Sequence, residues 1–235
     1  MIRAVFFDLY NTLVHFSPTV EEIQVKACRE VGICVTPRGV LQGYRLADDY
    51  FNRENSRSSL SQRSAECRDG FFSHYEQLIL KGAGLDVSLA LSKRIWELTT
   101  RVPKGFATFD DVVASLQSLK VMGLSLGLLS NLHHDIEALS VGLGFGIYLD
   151  FSITSHEVGA EKPSPAMFMA ALSKVGVNAN EAIHVGDQIY SDVGGARSVG
   201  IIPILLDRDN CHKDSAEYYR IRSLAEVKGV VTALL

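Results

Sequence analysis

Ala4-Val5-Phe6-Phe7-Asp8-Leu9-Tyr10-Asn11-Thr12, close to the start of the 235-residue chain, is the stretch that decides the fold class. Four apolar residues run without a polar break and stop at a carboxylate. A run that short suits a strand covered on both faces, as strands in parallel sheets are. Runs of the same kind recur at Leu124 to Leu129, Phe151 to Thr154, Ala182 to Val185 and Ile201 to Leu206. Helical patterns lie between them: Val112, Val113, Leu116 and Leu119 share one face, as do Phe168, Leu172 and Val175. The alternation predicts an α/β fold, a doubly wound, Rossmann-like parallel sheet with right-handed crossovers.

One long stretch breaks the alternation. Residues from about 17 to 103 hold no convincing strand and read as helices at Glu21 to Val31, Gly39 to Asn55, Gln62 to Leu80 and Ser88 to Thr100. Ser17-Pro18 and Thr36-Pro37 suit helix starts, because proline fits the first helical turn. Residues 56–64 carry five serines in nine positions and read as a loop. The expected organisation is an α/β core from residues 1–16 and 104–235, the sheet resuming near 104, with an inserted all-helical domain at 17–103. Between Tyr44 and Asp69 the insertion carries five Arg and five acidic residues, which read as a solvated face. Arg45, Tyr50 and Arg53 are the residues there that would otherwise meet a substrate, and the lone Trp96 reads as core of the insertion.

Composition narrows the function classes. Hydrophobic residues make up 47% and charged residues 21%, as in an ordinary globular chain. A net charge of −4 argues against a general nucleic-acid surface but leaves room for a local basic pocket. Cys28, Cys34, Cys67 and Cys211 form no C-x-x-C pair, so free thiols in a reducing, cytoplasmic setting are expected. No apolar run approaches the length of a signal-peptide core or a membrane span.

In open α/β sheets, ligands bind beyond the carboxyl ends of the strands. There the first strand delivers Asp8 to Thr12, the second Ser130-Asn131, and the fourth Gly186-Asp187, with Asp192 five residues on. Lys162-Pro163 lies in the connection that leads to the fourth. Three carboxylates at one rim, offset by one lysine, raise their own pKa values or demand a cation. A hard divalent ion such as Mg²⁺ suits oxygen ligands. With it and Lys162 in place, the rim would attract a small anion such as a phosphorylated metabolite. Thr12 and Ser130 also suit turns, Lys162 a solvated loop, and Asp192 the N-cap of a helix near Val193. His133 and His134 read as a helix start and His184 as a strand residue, rather than as metal ligands.

The segments FFDLYNTLV at 6–14, LLSN at 128–131, EKPSPAMF at 161–168 and HVGDQIYSDVGGARSVGI at 184–201 resemble, in order and spacing, the four motifs of the haloacid dehalogenase superfamily. The helical insertion resembles that family's C1-type cap, and the likeness runs on to the closing SLAEV segment. The resemblance implies Asp8 as a nucleophile that forms an aspartyl intermediate, with Thr12 hydrogen-bonding around its loop. It implies Ser130 and the Asn131 backbone as holders of the transferring group, and Lys162 as the neutraliser of Asp8 and the substrate. It implies Mg²⁺ on Asp187, Asp8 and the Tyr10 carbonyl, with Asp192 orienting the metal's waters or pairing with Lys162.

The chain departs from the phosphatase pattern at one place. Phosphatase members usually carry a second aspartate two residues after the nucleophile, as general acid and base, and here Tyr10 stands there. A phenol with pKa near 10 is a poor base at neutral pH. The metal-free 2-haloacid dehalogenases have a similar D-x-Y motif, and a halide leaves without a proton. They carry neutral residues at the fourth motif, however, where this chain keeps Asp187. Unneutralised, Asp187 would repel a haloacid carboxylate by roughly 1–4 kcal/mol. The expected function is therefore a Mg²⁺-dependent phosphatase. The alternatives are a dehalogenase and a binding module whose chemistry has faded.

Overall fold

The computed structural model describes residues 1–58, 60–132, 135–213 and 215–234. In chain order the elements are β1 (Ala4–Phe7), β2 (Val14–Ser17), α1 (Val20–Glu30), α2 (Pro37–Arg57), α3 (Ala65–Gly82), α4 (Leu89–Arg101), β3 (Gly105–Thr108), α5 (Val112–Val121) and β4 (Ser125–Ser130). They continue with α6 (Ile136–Gly142), β5 (Phe151–Thr154), α7 (Ser155–Val158), α8 (Pro165–Val175), β6 (Ala182–Gly186), α9 (Gly195–Ser198), β7 (Ile202–Leu206), β8 (Tyr219–Ile221) and α10 (Val227–Ala233). The chain divides into two compact units, Met1–His15 with Ala107–Leu235, and Phe16–Phe106.

The first unit is a parallel six-stranded sheet in the order β5-β4-β1-β6-β7-β8. It is the α/β, Rossmann-like core that the apolar runs predict. All four residues of β1 are buried, because β4 and β6 flank it and its two faces are covered. On one face Phe6 meets Phe151 edge-on and packs with Met167, Phe168 and Leu172 of α8. From β1 the chain goes to β4 and β5 on one side and to β6, β7 and β8 on the other. The strand order therefore reverses at β1, which makes its carboxyl end a topological switch point.

Two features correct the sequence reading. The main sheet resumes at β4, not near residue 104: β3 pairs with β2 in a separate two-stranded sheet, formed where the chain passes between the units. The main sheet also has a sixth strand. Only Ile221 of β8 is buried, so an edge strand of three residues left no apolar run to read.

The second unit is built from α1 to α4. Thr36 caps α2, with Pro37 at its first position, as expected. Ser17-Pro18 does not start α1, because Thr19 does. Its hydroxyl accepts from the Glu22 N–H while Glu22 accepts from the Thr19 N–H, a reciprocal capping box. The serine-rich segment is loop only in part, since α2 runs on to Arg57 and a single turn spans Leu60–Gln62. The unit's core is aromatic. Trp96 stacks on Phe72 at 4.6 Å, and Tyr50 stacks on Phe71 at 5.0 Å. Tyr50 is thus partly committed to packing, whereas Arg45 and Arg53 are exposed. At Gly43 a Cβ would run into the backbone of Ile79, so glycine is what lets α2 and α3 approach.

Candidate active site

The loop that leaves β1 is fixed at both ends by its own backbone. The Asp8 N–H donates to the Val185 carbonyl of β6 at 2.9 Å. Leu13 and Val14 N–H groups turn back on the Leu9 carbonyl, and Asn11 takes a left-handed conformation (φ 59°) that asparagine tolerates well. The turn leaves the Asp8 carboxylate at the switch point, its side chain 13% exposed.

Lys162 reaches this carboxylate from the connection between α7 and α8. Its Nζ lies 2.6 Å from Asp8 Oδ1 and 2.7 Å from Asp192 Oδ1, and the lysine is buried. Asn131, just past β4, holds the lysine's backbone from both sides. Its Nδ2 donates to the Lys162 carbonyl at 3.1 Å and its Oδ1 accepts from the Lys162 N–H at 2.8 Å. Ser130, buried at the end of β4, accepts from the Leu132 N–H through its hydroxyl.

Asp192 is not the N-cap that its sequence position also allowed. It lies in a wide helical turn, Ile189–Gly194, that follows β6. Its Oδ1 also meets His184 Nε2 at 3.0 Å, and its Oδ2 accepts from the Gln188 N–H at 3.1 Å. This is possible because residue 186 is glycine: a Cβ there would collide with the Asp192 carboxylate. A buried row therefore runs His184, Asp192, Lys162, Asp8. The part of His184 was not legible in advance, although a histidine inside an otherwise apolar strand was the available sign. His133 and His134 lie outside the described residues.

Thr12 departs from expectation. It is buried, its hydroxyl finds no hydrogen-bond partner among the described residues, and it is its carbonyl that is held, by Arg208 at 2.9 Å. Tyr10 bridges to Val14 through its backbone.

The electrostatics follow from burial and from this row. Burial pushes the Asp8 carboxyl up, and the Asp192 charge adds to that; the nearby Lys162 pulls it down without cancelling the rise. Burial would also raise Asp192, but Lys162 and His184 outweigh it and hold this carboxyl well below the ordinary range. Burial works to neutralise Lys162, and Asp192 and Asp8 overcome it, so the ammonium is held charged. Burial lowers His184. One cation thus faces two carboxylates, with Asp187 as a third: Asp8, Asp187 and Asp192 each offer an oxygen within 4.8 Å of the others. A set of three carboxylates that close together offers the oxygen ligands that suit a hard divalent ion such as Mg²⁺.

A family model described as haloacid dehalogenase-like hydrolase matches residues 2–200. The chain belongs to that family. This hydrolase is 28% identical over 211 residues to ribulose-1,5-bisphosphate 5-phosphatase of Halopiger xanaduensis, covering 88% of this chain and 85% of the relative. It is also 28% identical over 213 residues to glyceraldehyde 3-phosphate phosphatase of Methanopyrus kandleri, with the same coverage of 88% and 85%. Among solved structures it resembles the HAD phosphatase of Thermococcus onnurineus, at 25% identity and a TM-score of 0.58 over 98% of both chains. No helix among the described residues is long and apolar enough to cross a membrane.

Proposed function

We propose that this hydrolase releases phosphate from small phosphorylated metabolites, with Asp8 as nucleophile and Mg²⁺ as cofactor. The observation that carries the reading is the gathering of Asp8, Asp187 and Asp192 oxygens within 4.8 Å, with the Lys162 ammonium held by Asp8 and Asp192. A dianionic phosphoryl group suits such a rim only once a further positive charge is present. The phosphatase names of the two archaeal relatives support the same substrate class.

In this reading an Asp8 carboxylate oxygen bonds to phosphorus as the ester oxygen leaves, giving an aspartyl phosphate. Water then displaces phosphate and restores the carboxylate. Covalent catalysis of this kind splits one hard displacement into two easier ones. Lys162 neutralises Asp8 and the phosphoryl oxygens, and the Ser130 hydroxyl with the Asn131 backbone positions the transferring group. Asp192 holds Lys162 in place, and Thr12 takes part through its carbonyl rather than its hydroxyl. Asp8, Asp187 and the Tyr10 carbonyl would hold Mg²⁺, which supplies charge neutralisation for the phosphoryl oxygens. The helical insertion, residues 17–103, is assigned the selection of the substrate, and the cytoplasm is the expected setting.

Tyr10 favours the second reading, a metal-free dehalogenase, because a halide needs no proton to leave. The two separate in one assay on the intact chain. Phosphate release from an aryl phosphate should stop on adding EDTA and return with Mg²⁺. Chloride release from 2-chloropropionate in EDTA, without phosphate release, would overturn the phosphatase reading. Turnover of neither would favour a binding module.

A further inference from the structure

Away from the acidic rim, a second charged network grips the far side of the loop that carries Asp8. Arg208, two residues past β7, donates from Nη2 to the Thr12 carbonyl at 2.9 Å. The same guanidinium forks onto the Asp111 carboxylate at 3.0 and 2.9 Å and lies 3.8 Å over the Phe109 ring. Asp111 is itself braced, accepting from the Ser223 hydroxyl at 2.7 Å and the Leu224 N–H at 2.9 Å. Burial works to raise Asp111, but the bonds from Arg208, Ser223 and Leu224 outweigh it, and the carboxyl sits below its ordinary range. Asp111 therefore meets Arg208 as a carboxylate.

The loop's own bonding shows what this grip does. Its N–H groups at Asn11, Leu13 and Val14 are satisfied inside the loop, and that of Asp8 by β6. Among the described residues the buried Thr12 hydroxyl has no hydrogen-bond partner, and Thr12 is held through its carbonyl by the Arg208 side chain. Beside it, the Phe109 N–H donates to the Leu13 carbonyl at 3.3 Å, and the Phe109 ring meets His15 at 4.8 Å. A planar fork answers both demands at once, two carboxylate oxygens on one side and a carbonyl on the other. A lysine ammonium does not reproduce that geometry.

We propose that Arg208 is a positioning residue: seated on Asp111 and Phe109, it fixes the Thr12 end of the loop and thereby the direction in which Asp8 attacks. The assignment rests on Asp8 being the nucleophile. Misplacing a reacting group by about 1 Å costs on the order of 100-fold in rate.

The test uses the intact chain, p-nitrophenyl phosphate with Mg²⁺, and the variants Arg208→Ala, Arg208→Lys and Ser223→Ala. Arg208→Ala should lower kcat by roughly 10- to 100-fold with KM held within about 2-fold, and free guanidinium should restore part of the loss. Arg208→Lys should fall between it and the parent. Ser223→Ala removes one brace of Asp111 but leaves the Leu224 bond, the Arg208 fork and the Thr12 bond in place, and should keep kcat within about 3-fold. Hydrogen exchange of the peptide spanning residues 9–14 supplies a readout independent of turnover. It should quicken in both Arg208 variants and not in Ser223→Ala. Should Arg208→Ala fail to fold, Arg208→Lys decides on the same two readouts. Unchanged exchange in that loop overturns the proposal, as does a kcat loss that Ser223→Ala shares and guanidinium does not relieve. If the parent protein releases no phosphate, the nucleophile reading fails on that ground, and the exchange experiment still decides whether Arg208 holds the loop.

Discussion

Asp192 in the core unit and Glu76 in the helical unit are both sealed from water, yet their surroundings treat a carboxylate in opposite ways. Asp192 has the Lys162 ammonium at 2.7 Å, His184 at 3.0 Å and the Gln188 N–H at 3.1 Å. Glu76 has the Gln24 amide on one oxygen, and its other oxygen has no partner among the described residues. Burial pushes Glu76 up to about 7, and the Gln24 bond offsets only part of the rise. Asp48, which accepts from the Tyr75 hydroxyl at 2.6 Å, is pushed by burial up to about 6. The ammonium, His184 and the N–H on Asp192 outweigh its burial, whereas the single neutral donors on Glu76 and Asp48 do not outweigh theirs. The two acids differ in what each is given to face, a cation in the core unit and an amide in the helical unit.

The comparison breaks most visibly if its cation is removed. Lys162→Met leaves Asp8 and Asp192 buried together without an ammonium. Phosphate release should fall by at least about 1,000-fold, and urea unfolding should show a loss of about 3–5 kcal/mol. Adding Asp192→Asn should return part of the stability and none of the activity. A Lys162→Met protein as stable as the parent would mean that the row is not what holds this end of the sheet.

A smaller effect sharpens the other side. Glu76 is raised from an ordinary 4.5 to about 7 in the folded chain, so between those values the folded state binds the proton that the unfolded state has lost. Its contribution is then greatest below pH 4.5 and is lost as pH rises to about 7, a total of about 3 kcal/mol. Glu76→Gln should remove that dependence, gaining on the parent over this window and holding the gain above it. Asp48→Asn should show the same sign with a smaller size. Trp96 is the chain's single tryptophan and lies in this unit, so its fluorescence during urea unfolding reads the difference directly. A Glu76→Gln protein that tracks the parent at every pH would place a compensating charge beside Glu76.

Much of this contrast was legible at the rim and little of it elsewhere. Ala4 to Phe7 and Ala182 to Val185 announce buried parallel strands, because such strands need apolar residues on both faces, and the acids that follow them must then share one edge. Lys162 was legible because a cation in the preceding connection answers that charge. Three things were not. The pairing of β2 with β3 involves two four-residue strands whose partners lie on opposite sides of the helical insertion. Arg208 acts on Thr12 and Asp111, 196 and 97 residues away, and no local pattern marks a guanidinium that bridges such distances. Glu76 lies in the Gln62 to Leu80 stretch, which reads only as helix, and it takes the Gln24 amide of α1 against it to show that it is sealed.

The central claim is that Asp8 takes up the phosphoryl group. It is tested most directly by mixing the protein with p-nitrophenyl phosphate and Mg²⁺, quenching in acid during turnover, and locating the phosphoryl group by mass spectrometry of the peptides. The account predicts phosphate on the peptide that contains Asp8 in the parent protein and none in Asp8→Asn. Full-rate phosphate release with an unmodified Asp8 peptide, or from Asp8→Asn itself, would contradict it.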